Sequence, residues 1–190
     1  MKHAQSRALH SYWQTLRMSG RVAGTTPERS DVEPQDIASL LGHVFMLRRI
    51  DPGHHVFRLA GTHFCQLYQR EFRDQNFLSL WRGHDATHIQ ALLESTLSGA
   101  SPSSVVARAS SIDMHQLPVE ISFFPLKGPD GVVDRTLGLY QPLDDTRDFD
   151  HRPVVRTGLR EIRPPAVPGH LFGVSQRDMS SAREMIANDR

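Results

Sequence analysis

The sequence predicts an α+β fold: a five-stranded antiparallel sheet with helices on one face, preceded by an N-terminal amphipathic helix. Three observations carry this. Apolar residues recur at helical spacing near the N-terminus and again in the middle of the chain, two β-prone runs are joined by Asp51-Pro52-Gly53, and three further β-prone runs follow the helical middle. Strands linked by short turns pair antiparallel, because a parallel pair needs a long crossover.

Over residues 6–18, Leu9, Tyr12, Trp13 and Leu16 fall at i, i+3, i+4 and i+7, and Gly20 follows as a C-terminal stop. Pro34 suits a first helical position, and Ile37, Leu40, Leu41 and Val44 continue the spacing in a second, shorter helix. Strands 44–50 and 55–60 form a hairpin, since Pro52 fixes φ and Gly53 frees it for a tight reversal. Thr62 caps a helix with Phe64, Leu67 and Tyr68 on one face, and Ile89, Leu92, Leu93 and Leu97 mark a longer helix ending at Gly99. Between them, residues 77–81 fit neither period. The last three strands are 103–112, 117–126 and 132–141. In the middle one Leu117, Val119, Ile121 and Phe123 alternate with Glu120 and Ser122, and Gly128-Pro129-Asp130-Gly131 reverses the chain before the third.

The 190 residues suit one domain with extensions: an N-terminal helix and linker over 1–33, a core over 34–141 and a tail over 142–190. The tail mixes Arg152, Arg156, Arg160 and Arg163 with Pro164, Pro165 and Pro168, lacks apolar periodicity and reads as flexible, with a short helix over 180–187. A single cysteine, Cys65, excludes an internal disulfide, and no apolar run approaches the roughly 20 residues of a membrane span. A soluble, cytoplasmic protein is expected. With 22 Lys and Arg against 21 Asp and Glu there is no overall positive field, so nucleic acid is not an expected partner.

No GxSxG, P-loop, GxGxxG or HExxH motif is present, so no catalytic residue is assigned and an enzyme is not expected. His84 and His88 stand at i, i+4, but without the Glu of HExxH or a third ligand; with 11 histidines in the chain such pairs arise by chance, and no metal site is assigned. Cys65, beside Phe64, reads as a half-buried, unreactive thiol.

The local wording resembles the single-domain alphaproteobacterial PAS family known as PAS_5. The matching residues are Trp13; Pro27-Glu28-Arg29-Ser30-Asp31-Val32-Glu33-Pro34; Leu40-Leu41; Phe57-Arg58-Leu59-Ala60-Gly61-Thr62; Arg70-Glu71; and Asn76-Phe77-Leu78-Ser79-Leu80-Trp81. One departure is Gln69, where the family commonly has Gly after an aromatic residue. The resemblance implies a sheet and helices enclosing a small cavity, with Phe57, Leu59, Phe64, Tyr68, Leu92, Leu93, Ile121 and Phe123 as lining residues. Arg58, on the opposite strand face, is the candidate for an anionic group. It implies a stand-alone sensory or regulatory domain of bacterial signalling that acts through ligand- or partner-dependent protein contact, with no attached output module. A homodimer is expected, with Leu9, Tyr12, Trp13 and Leu16 as its interface. No cofactor is named. The alternatives on the same scaffold are a small-molecule enzyme or a haem sensor with its axial ligand among His63, His84 and His88.

Overall fold

The hairpin forms where Asp51-Pro52-Gly53 predicts it: β1 (Val44–Asp51) and β2 (His54–Ala60) pair antiparallel, and the Gly53 N–H donates to Asp51 Oδ1 at 2.8 Å across the turn. The structure is a computed structural model and describes residues 1–20 and 23–166. Four more strands follow, β3 (Ser103–Ser111), β4 (Gln116–Lys127), β5 (Val133–Pro142) and β6 (Val154–Arg163), in a sheet of order β2-β1-β5-β4-β3-β6 with every pairing antiparallel.

The sheet therefore has six strands, not the expected five. Residues 154–163, assigned by sequence to the flexible tail, pair along β3. Two bulges hide this strand from a period-two reading: Val155 and Arg160 have no partner on β3, so Val154 and Thr157, and then Leu159 and Ile162, share one face of the strand while standing three apart. The helix expected over 180–187 lies outside the described residues.

Helix α1 (Ala4–Ser19) is close to the sequence expectation, as are α2 (Thr62–Tyr68) and α3 (His84–Ser98). The short helix after Pro34 is a 3-10 segment, Pro34–Leu40, that leaves helical geometry at Ile37 yet buries both Ile37 and Leu40. Phe77–Leu80 is likewise a 3-10 turn, opened by Asn76, whose side chain accepts the Leu78 N–H at 3.1 Å.

The two faces of the sheet carry separate cores. On the inner face, α2, α3 and Phe77–Leu80 cover a cluster dominated by aromatic rings: Phe45 lies 5.4 Å from Phe77 and 6.2 Å from Phe123, and Phe64 lies 4.7 Å from Phe72. The Phe45 ring occupies the space over Gly138 on the neighbouring strand, where a Cβ would come within 2.0 Å of it. On the outer face, α1 sets Leu9 and Trp13 against Phe124, Leu126, Leu137 and Leu139. The Trp13 Nε1–H donates to the Pro125 carbonyl at 2.9 Å. Burying each of these two side chains stabilises the docked helix by roughly 1.5–3 kcal/mol. Among the described residues no helix is long and apolar enough to cross a membrane.

Candidate functional site

Two glycines build the site. Gly61 follows β2 against the Leu41 and Gly42 carbonyls, at points where a Cβ would approach to 2.3 and 2.4 Å, so only glycine lets the chain pass there. That approach locks the start of α2 onto the loop before β1: the His63 and Phe64 N–H groups donate to the Gly42 carbonyl at 2.9 and 3.3 Å. The His63 ring then sits close against Gly42, and His63 Nδ1 meets His43 Nε2 at 3.1 Å with the ring centroids 4.6 Å apart. Burial, then the neighbouring His63, push the His43 imidazole below its ordinary range.

This pair stands in the wall of an open cleft of about 1170 Å³. One side is α2, through Thr62, Cys65 and Gln66; the other is the connector between β5 and β6, through Thr146, Phe149, Asp150 and His151, with Arg70 and Glu71 also in the lining. Cys65 is half-buried, its Sγ 3.9 Å from Glu71 Oε2. Burial first, and then the Glu71 carboxylate, raise the thiol above its ordinary range, so it stays protonated and a weak nucleophile.

The cleft is wired to β6 from behind. Tyr68, at the end of α2, places its hydroxyl 2.8 Å from Thr157 Oγ1 of β6 and 3.3 Å from the Tyr140 hydroxyl of β5, all within the buried inner core. Burial raises both phenols, and at Tyr140 the neighbouring Tyr68 adds to it. Gln69, which closes α2 in the left-handed conformation, donates from Nε2 to the Asp150 carbonyl of the connector at 3.3 Å.

Of the residues proposed to line a cavity, Phe57, Phe64, Tyr68, Leu92, Leu93, Ile121 and Phe123 come together in the inner core, packed within one cluster. Leu59 does not join them. The β1–β2 register skips Arg58, so this bulge turns Leu59 to the outer face opposite Met46 and leaves it 49% exposed. Arg58 Nη1 reaches Asp74 Oδ1 at 2.6 Å, which supplies its charge with a partner inside the chain. In the expected dimer stripe, Leu9 and Trp13 are buried against the chain's own sheet, and the Tyr12 hydroxyl accepts the Glu33 N–H at 2.9 Å. Leu16 packs at the edge of the same cluster.

His84 and His88 are exposed on α3, while Asp85 accepts the Leu159 N–H of β6 at 3.0 Å and covers part of that open sheet edge. Among the described residues no group of three or more His, Cys, Asp or Glu is placed to hold a metal ion. Sequence reasoning missed His43 and the β5–β6 connector; the one available signal was glycine at 42 and 61, each a single residue or two before a histidine.

Solved structures resemble the chain at low identity. A LOV protein of Rhodobacter sphaeroides is 15% identical with a TM-score of 0.45, covering 62% of this chain and 72% of its own. The Vibrio cholera VqmA–ligand–DNA complex is 15% identical with a TM-score of 0.46, covering 60% of this chain and 53% of its own. An RNA-binding light-oxygen-voltage receptor is 15% identical with a TM-score of 0.45, covering 64% of this chain and 37% of its own. No curated protein matches the chain. The model of the PAS_5 family, described as a PAS domain, matches residues 1–141, from α1 through the fifth strand. With most of its length matched, the chain belongs to the PAS_5 family of PAS domains.

Proposed function

We propose that this PAS domain is a sensory or regulatory module whose input is a small ligand or partner at the α2 cleft and whose output is contact with another signalling protein. The observation that carries the reading is the buried hydrogen bond between Tyr68 and Thr157, 2.8 Å long, which joins the cleft wall to strand β6. A ligand that draws α2 towards the connector moves Tyr68 and Gln69 together, and β6 follows through the Tyr68 bond to Thr157 while the connector follows through the Gln69 bond to Asp150. The ligand needs only a differential affinity for the two positions of α2 to shift the population that the next protein binds. A homodimer belongs to the same proposal, through surfaces other than Leu9 and Trp13.

The test is hydrogen exchange on the full chain as purified, before and after removal of any small molecule that native mass spectrometry finds retained, with Thr62→Trp as a variant that fills the cleft. Coupling predicts altered exchange in α2, in residues 143–153 and in β6 together. Altered exchange confined to α2 in the filled variant would sink it.

A further inference from the structure

We propose that the imidazoles of His43 and His63 form a two-ligand seat in the α2 cleft for a divalent transition metal ion such as zinc. Nε2 of His43 and Nδ1 of His63 face one another at 3.1 Å. With metal–nitrogen bonds of about 2.0–2.1 Å, that separation closes an N–metal–N angle of about 100°, between the octahedral and tetrahedral values.

The seat is built by the backbone. A Cβ at position 42 would come 2.6 Å from His63 Nδ1, so glycine there lets the ring sit where it faces His43. Main-chain bonds hold both histidines in place: the His43 N–H donates to the Leu40 carbonyl at 2.9 Å, the Tyr140 N–H to the His43 carbonyl at 3.0 Å, and the His63 N–H to the Gly42 carbonyl at 2.9 Å.

The exchange balances without an outside reactant. In the free protein one facing nitrogen donates a proton to the lone pair of the other. On binding, both facing nitrogens present lone pairs, with the N–H of His43 on Nδ1 and that of His63 on Nε2, and no proton leaves the pair. Two imidazoles do not saturate a zinc ion, and both histidines line the cleft, which leaves room for further donors. The remaining positions fall to water or to a donor atom of a small chelating ligand, so the seat extends the sensory reading by naming the chemistry of its input. The competing zinc ligands are the exposed His84 and His88, spaced i, i+4 on α3.

The experiment titrates zinc chloride into the full chain by calorimetry at neutral pH in a non-chelating buffer, with the histidine ring signals followed by NMR. One equivalent is expected to bind, shifting the His43 and His63 signals. His63→Ala and His43→Ala should each weaken it by more than about tenfold. The His84→Ala/His88→Ala double variant should bind as the parent does. His63 is exposed, so its variant is expected to keep the fold, which circular dichroism checks. Absence of zinc uptake in the parent, or its loss in the His84/His88 variant with retention in His63→Ala, overturns the seat. Zinc uptake with unchanged exchange in β6 leaves the seat standing and removes its coupling to the signalling output.

Discussion

The backbone N–H of Lys2 donates to Glu120 Oε2 at 2.6 Å, and that of His3 to Oε1 at 3.2 Å. A fully buried carboxylate on β4 thus receives the start of α1 on the outer face of the sheet. Arg163, the last residue of β6, approaches the same carboxylate at 3.7 Å, so the first helix and the last strand meet at one anion. Burial alone would raise the carboxyl, but the Ser6 hydroxyl, the two amides and the N-terminal ammonium outweigh it and hold the group below the usual range.

Glu120→Gln leaves those amides facing a weaker acceptor and Arg163 without a buried counter-charge. The expected loss is about 1–3 kcal/mol of stability in urea unfolding, with faster amide exchange at residues 2–6 before the rest of the sheet opens. Equal stability in the variant would show that Leu9 and Trp13 alone dock α1.

Acid should unfold the protein in two stages. His55 is fully buried with Nε2 3.0 Å from Glu94 Oε1, and Glu94 is clasped by Arg49 at 2.8 and 2.9 Å. Burial lowers the His55 imidazole despite the nearby Glu94, as it lowers His43. The unfolded chain therefore binds protons near 6.5 that the folded chain refuses, and the stability these histidines give above that pH is lost as the pH falls below it. The second stage belongs to Glu94, lowered first by its hydrogen bond from Arg49, and to Glu120; their contribution holds above 4.5 and is lost as pH falls through their depressed values. Urea midpoints should decline between about pH 7 and 5, and His55→Gln should flatten that decline. An unaltered slope in the variant would assign the first stage to other groups.

The alternation of Leu117, Val119, Ile121 and Phe123 places the inner face of β4 from sequence alone, and the same period assigns Glu120 and Ser122 to the other side. What alternation omits is that α1 buries that other side, a contact set by Leu9 and Trp13 more than a hundred residues away in sequence. Strand β6 and the orientation of Leu59 were lost for a local reason: single-residue bulges at Val155, Arg160 and Arg58 break the period that identifies a strand face. The cleft was illegible because the Gly42–Gly61 approach that creates it joins a loop to a helix start, and no period connects them.

Gly138 tests how tightly the inner core is filled. The Phe45 ring above it is hemmed by Phe57 at 5.9 Å, Phe64 at 6.0 Å and Phe77 at 5.4 Å, and it has no exposed surface into which to retreat. Gly138→Ala should cost about 1–3 kcal/mol or more, read as a fall in melting temperature. Phe45→Leu in the same chain should recover part of the loss, and a double-mutant cycle measures the coupling. Additive effects would mean that the backbone, and not the ring, makes room for the methyl group.

Gln69 sets a backbone strain against a side-chain bond. It closes α2 at φ 50°, ψ 39°, the left-handed region in which a Cβ costs roughly 1 kcal/mol. Its compensation is the Nε2 bond to the Asp150 carbonyl, at 3.3 Å and exposed, worth about 0.5 kcal/mol at the low end for neutral hydrogen bonds. Gln69→Gly should therefore raise stability slightly, by up to about 0.5 kcal/mol, since glycine's larger entropy loss on folding takes back part of the relief. The same change unties the connector from α2, so amide exchange at residues 146–151 should quicken while the global unfolding midpoint rises. A fall in the midpoint would show that the tie to Asp150 outweighs the strain and that α2 and the connector are held as one unit.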